Sequence, residues 1–150
     1  VTLKERINED LKVSLLAHDQ VKSGVLRGLK AVILNEEVAQ GKRDEGLDDE
    51  TIEKLFAREI KKRNESAKIY DKAGRGELSE NERKEAELIS VYLPEQMSEE
   101  DISEAVDKVI SDLGVSGMAA IGQVIGTVKK ELGNVADGAL IASIVKSKLS

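Results

Sequence analysis

From Leu3 to Leu149 the apolar residues of this chain return every three or four positions, and no stretch shows the alternation of a half-buried strand. A period near 3.6 gathers side chains on one side of an α-helix, so the pattern predicts an all-α protein. Leu3, Ile7, Leu11 and Leu15 mark a first helix. Val25, Leu26, Leu29, Val32 and Ile33 mark a second, and Ala86, Ile89 and Leu93 a fourth. The last third holds three further stripes: Ile102 to Leu113, Ile121 to Leu132, and Leu140 to Leu149.

Capping residues place the ends. Thr2 with Glu5, and Ser79 with Glu82, have the spacing of a capping box, in which each side chain satisfies an orphan amide. Asp19, Asp48, Ser98 and Asp137 stand before helical runs, and Ser116 opens the sixth. Leu47 with Ile52, and Met97 with Ile102, flank their caps as hydrophobic staples. The stretch Gly41–Gly46 has two glycines and four charges and reads as an exposed loop. The third helix runs from the Asp48 cap to about Ala73, roughly 38 Å at ~1.5 Å per residue. That length suits a protruding arm or one side of a helical hairpin. Gly74-Arg75-Gly76 breaks it, and Gly114 and Gly133 end later helices. The one proline, Pro94, forces Leu93 out of helical geometry. The expected architecture is an N-terminal bundle or hairpin of four helices, one of them long, over residues 1–96. A compact three-helix C-terminal domain follows over 97–150.

Composition narrows the chemistry. The core must be aliphatic, because Phe56, Tyr70 and Tyr92 are the only aromatics. Charged residues make up 35% of the chain, which suits solvent-facing helix stripes. With no cysteine and one histidine, thiolate and histidine-rich metal sites are excluded. No run reaches the ~18 apolar residues of a membrane span, and no secretory leader is evident, so a cytoplasmic protein is expected. The net charge of −6 opposes sequence-independent coating of nucleic acid.

No phosphate loop, dinucleotide fingerprint or nucleophile elbow is present, and no catalytic residue, cofactor site or metal site is assigned. His18 beside Asp19 reads as a helix–helix turn. Glu36-Glu37 and Glu99-Glu100 are adjacent pairs whose members point ~100° apart on a helix, and both pairs are expected to be solvated. Lys54, Arg58, Lys61, Lys68 and Lys72 share one face of the third helix, interrupted by Glu65. This is a solvated ridge with ion pairs or, alternatively, a track for a nucleic-acid backbone. Lys129, Lys130, Lys146 and Lys148 are four of the five basic residues after position 97. They fall in last helical turns, where cations offset the helix dipole, and are the candidate RNA-phosphate contacts. Gly122 and Gly126, four apart inside a helix, and Gly138 are the candidate close-approach positions. A neighbouring helix of the same chain is expected at the first two, with an external ligand as the alternative.

Several stretches together resemble the GatB/YqeY family. They are Leu3-Lys4-Glu5-Arg6-Ile7, Val25-Leu26-Arg27 leading to Asn35-Glu36-Glu37, and Lys72-Ala73-Gly74-Arg75. With them go Tyr92-Leu93-Pro94-Glu95-Gln96, Ile121-Gly122-Gln123-Val124-Ile125-Gly126, and Val135-Ala136-Asp137-Gly138. The order and spacing hold over essentially the whole chain. The family includes the tail of the tRNA-dependent amidotransferase B subunit and free-standing YqeY-like proteins. The resemblance implies a helical N-terminal part and a three-helix tail that helps grip tRNA, associated with tRNA-dependent amidation of Glu or Asp. A family label of carbon–nitrogen ligase activity with glutamine as amido donor follows the same resemblance; the kinase-like cradle that performs the phosphoryl chemistry is not among these residues. The expected function is a tRNA-binding accessory module, with tRNA and an amidotransferase or aminoacyl-tRNA synthetase as partners and no membrane. The alternative is a helical protein-interaction module using the third helix and the 41–46 loop.

Overall fold

Side-chain caps fix where most of the helices begin. The computed structural model describes residues 1–150 and holds seven α-helices and no strand: α1 Leu3–Leu16, α2 Gln20–Ala39, α3 Asp49–Lys72, α4 Gly76–Ser90, α5 Glu99–Leu113, α6 Ile121–Leu132 and α7 Gly138–Leu149. The Thr2/Glu5 capping box is formed in both directions. Asp19, Asp48, Ser98 and Asp137 each accept a backbone N–H at their helix N-terminus. Such a cap contributes about 1 kcal/mol. Gly114 closes α5 in the left-handed region at φ 63°.

Two helix starts differ from the sequence reading. α4 begins at Gly76, with Arg75 at its N-cap and no side-chain cap. Gly74, at φ 71°, turns the chain so sharply that the Arg75 N–H returns to the Tyr70 carbonyl and the helix restarts at once. Ser79 is therefore inside the helix and fully buried, its hydroxyl taken by the Arg83 guanidinium. α6 begins at Ile121 rather than Ser116, because Gly117 adopts φ 81° and a 3₁₀ turn, Met118–Ala120, intervenes.

The chain divides into two compact units, Val1–Leu93 and Pro94–Ser150. The residues after Pro94 belong with the second. The Gln96 side chain donates to the Asn134 carbonyl at 2.9 Å, and the Met97 N–H to the Val135 carbonyl at 2.7 Å.

In the first unit, Leu3 and Ile7 of α1 pack with Val25, Leu26, Leu29 and Ile33 of α2, with Leu47, with Ile52, Leu55 and Phe56 of α3, and with Ile89 and Tyr92 at the end of α4. Leu15 belongs to the α1 stripe by spacing but is 44% exposed. Steps of four residues advance 400° around the axis, so the stripe drifts off the core. α3 and α4 form an antiparallel hairpin. Arg83 pairs with Asp71 beside the turn, and Arg63 reaches both Glu59 and Glu85. In the second unit, Ile102, Val106 and Val109 of α5, Val124 and Val128 of α6, and Ile141, Ile144, Val145 and Leu149 of α7 form one aliphatic core.

Glu37 corrects the expectation of a solvated acidic pair. It is 1% exposed, and its carboxylate accepts from Lys4 Nζ at 2.9 Å and from the Leu47 N–H at 3.2 Å. Its neighbour Glu36 lies half-buried and accepts from the Gln40 side chain. The helix turns by a quarter between them, and donors from Lys4 of α1 and from Leu47, just before α3, make burial of the second carboxylate tolerable. Replacing Glu37 by Ala strands the buried Leu47 N–H, and urea unfolding should report a loss of about 2–3 kcal/mol.

Tyr92 closes the other end of the core. Its ring meets Phe56 edge-on at 6.1 Å and lies 4.8 Å beneath the Arg6 guanidinium, while its hydroxyl donates to Asp10. Burial, reinforced by the Asp10 carboxylate, pushes the phenol well above its ordinary pKa of 10.0. The neutral phenol is the form the fold prefers, so this stabilisation is complete below about pH 10 and is lost as pH rises beyond it, because the unfolded chain ionises first. The stability difference between the wild type and Tyr92→Phe, measured by urea melts, should be constant up to about pH 10 and shrink above it.

Candidate functional site

The basic residues of α6 and α7 sit where their helices end, but they are not gathered at one point. Lys129 lies against the start of α7: a Cβ on Gly138 would stand 3.2 Å from its Cε. Lys146 and Lys148 lie eight and ten residues beyond Gly138, about 12 and 15 Å further along the axis at ~1.5 Å per residue. Lys148 is also engaged with α5, its Nζ 2.8 Å from the Asp107 carboxylate. Lys130 and Lys146 are exposed and form no ion pair. The candidate contacts thus split into Lys129 with Lys130 at one end of α7, and Lys146 with the partly neutralised Lys148 at the other.

The glycines of α6 do not have the neighbour expected of them. Nothing lies within 4 Å of a Cβ built on Gly122 or on Gly126, and both residues are exposed. The physical reason is rotational. Val124 and Val128 point into the core, and Gly122 and Gly126 fall on the opposite side of the same helix. Gly138 alone of the three is closely approached, by the methylene arm of Lys129. Lys130 continues the outward stripe at the next step of four, so Gly122, Gly126 and Lys130 share one solvent-facing line with Gln123 beside it. Each interior glycine costs about 1 kcal/mol against alanine, and no internal packing offsets that cost here. Gly122→Ala and Gly126→Ala should each raise the urea-unfolding stability of the chain by about 0.5–1 kcal/mol.

The α3 ridge is mixed rather than basic. Lys54 pairs with Glu50 at 3.6 Å, and Lys62 with Glu59 at 3.7 Å. Arg58, Lys61 and Lys62 line an open groove of about 600 Å³ beside α2, but Glu36, Glu59 and Glu65 line it as well. Ile69 is the one large apolar side chain that α3 exposes, so the helix offers little to an apolar partner. The sequence reading missed Glu37 and the solvent face of α2. The signal for the latter was present in the spacing of Val21, Gly24, Gly28 and Ala31.

Nucleophile, base and carboxylate arrangements are not assembled. His18 is exposed at the α1–α2 turn, with φ 56°, and Asp19 caps α2 by accepting the Lys22 N–H. Glu99 and Glu100 are exposed in the first turn of α5. No three His, Asp or Glu side chains converge as metal ligands, and no single helix is long and apolar enough to cross a membrane.

Each of the two units is a helical bundle, and the second turns lysines and a glycine-bearing helix face to solvent. The chain belongs to the YqeY-like protein family, whose family model matches residues 4–149. Among curated proteins it is similar to "altered inheritance of mitochondria protein 41, mitochondrial" of Lachancea thermotolerans, 33% identical over 110 residues, covering 71% of this chain and 57% of that one. The protein of the same name in Eremothecium gossypii is 33% identical over 87 residues, covering 58% and 46%. That of Vanderwaltozyma polyspora is 30% identical over 109 residues, covering 71% and 58%. The chain spans about half the length of the curated relatives it matches. The cytoplasmic location expected from the sequence is corrected by these relatives: each is named a mitochondrial protein, which points to mitochondria instead.

Proposed function

We propose that this chain is a tRNA-binding accessory module, associated with tRNA-dependent amidation of Glu or Asp, and that it meets RNA through the outer face of α6. The observation that carries the reading is the line Gly122, Gly126 and Lys130, with Lys129 alongside. Two side chains are missing where nothing inside the protein needs the room, next to two cations with no ion-pair partner. A bare helix backbone lets a sugar–phosphate chain approach closely, and the lysines supply its counter-charge. Recognition of structured RNA works largely through shape, phosphates and 2′-hydroxyls, so the shortage of aromatics is no obstacle. Family membership supports the same reading, since the family includes the tail of the tRNA-dependent amidotransferase B subunit.

The acidic balance of the whole chain limits the affinity to what one face supplies. Two neutralised phosphates give a log–log salt slope near −2, or roughly a tenfold loss between 50 and 200 mM salt. Filter binding of bulk tRNA at low salt should show this dependence. Lys129→Ala/Lys130→Ala should remove most of the binding, and Gly126→Leu should block it without unfolding the chain. Absence of wild-type binding, or binding unaffected by either variant, overturns the reading.

A further inference from the structure

The first unit carries an outward face of a different kind. α2 buries Val25, Leu26, Leu29 and Ile33 and turns Gly24, Gly28, Ala31, Leu34, Asn35 and Val38 to solvent. Leu34 is 44% exposed, Val38 58% and Val21 60%. In a chain that is 35% charged, this side of a 20-residue helix has only Arg27 and Lys30 as exposed charges. Val21, Gly24, Gly28, Ala31, Asn35 and Val38 follow one another in alternating steps of three and four, the spacing of a coiled-coil seam.

A groove of about 260 Å³ opens on this face between α1 and α2. Ile7, Ala31, Ile33 and Leu34 give it an apolar floor, and Lys4, Lys30 and Glu37 edge it. It is smaller than the ~300–1,000 Å³ of small-molecule sites and has the scale of one large aliphatic side chain entering as a knob. The charge around it is positive. Arg27 and Lys30 form no ion pair, and the one carboxylate at the groove, Glu37, is 1% exposed and already held by Lys4.

We propose that the α2 face is a docking site for an acidic amphipathic α-helix of a partner protein. The partner lays Leu- or Ile-type residues along the seam, seats one of them in the groove, and sets Glu or Asp against Arg27 and Lys30. The bare backbone at Gly24 and Gly28, where nothing lies within 4 Å of a Cβ, lets the two helices approach closely. A second copy of this chain fits poorly. A two-fold pairing puts the same patch on both sides, and Arg27 and Lys30, in the middle of α2, would face their own kind. RNA fits poorly as well, because the face is aliphatic and offers no ring for a base to stack on.

The test uses the full chain and two labelled helical peptides sharing one leucine seam in alternating steps of three and four, one flanked by Glu and the other by Lys. Fluorescence anisotropy should show the Glu peptide binding about tenfold or more tighter than the Lys peptide, as complementary charge sets partner choice. Arg27→Glu/Lys30→Glu should reverse that preference, and Leu34→Asp should weaken binding of both peptides; all three substituted side chains are exposed, and circular dichroism verifies the fold. Equal binding of the two peptides, a preference that survives charge reversal, or binding indifferent to Leu34→Asp overturns the proposal. So does sedimentation showing self-association that Val38→Asp abolishes, which assigns the face to a second copy. Displacement of the peptide by tRNA from the wild type but not from Arg27→Glu/Lys30→Glu assigns it to nucleic acid and likewise overturns the proposal.

Discussion

With two aromatic rings in its core, Phe56 and Tyr92, the first unit relies on aliphatic stripes, and one buried carboxylate decides how those stripes register. Glu37 stands near the end of α2 and takes the Lys4 amine from the start of α1 and the Leu47 N–H from the approach to α3. The start of α1 and the approach to α3 thus meet α2 at two oxygen atoms. Apolar packing is tolerant of small slips, since one methyl group substitutes for another, whereas a carboxylate removed from water demands its donors in place. The same pairing leaves the groove beside Ile7 and Leu34 with no free negative charge, so the inner contact also sets the electrostatic character of the outer face.

Helix starts were legible where the signal is local. Thr2, Asp19, Asp48, Ser98 and Asp137 need only the next two or three residues to act as caps, and each does so. Ser79 and Ser116 have the same appearance in sequence but do not cap. A left-handed glycine restarts the helix early in one case and postpones it in the other. The all-helical class and the stripes were readable because periodicity reports on a whole segment. What could not be read was which side of each helix finds a neighbour. Glu37 becomes buried through a lysine 33 positions away, and Gly122 and Gly126 face solvent because Val124 and Val128 hold the inside. For the same reason, four lysines close together in composition separate into two ends in space.

The two units share a device with different chemistry attached. In each, an interior helix has glycines four residues apart on its solvent side, with nothing of the protein laid over them. Around Gly24 and Gly28 the surroundings are Ala31, Leu34 and Val38; around Gly122 and Gly126 they are Gln123, Lys129 and Lys130. Greasy surroundings suit a side-chain-bearing helix, and cationic ones suit a phosphate chain. On the readings proposed above, the first face takes a partner helix and the second a phosphate chain.

The close approach at Gly138 has a consequence of its own. A lysine free in solvent carries about 2 kcal/mol of rotational freedom, much of which an incoming anion would have to remove. The arm of Lys129 is already laid along the start of α7, in space that any larger residue at position 138 would occupy. A hydrogen atom in place of a methyl group at position 138 thus leaves that arm its room, and on the reading proposed above a larger residue would move the ammonium away from its phosphate.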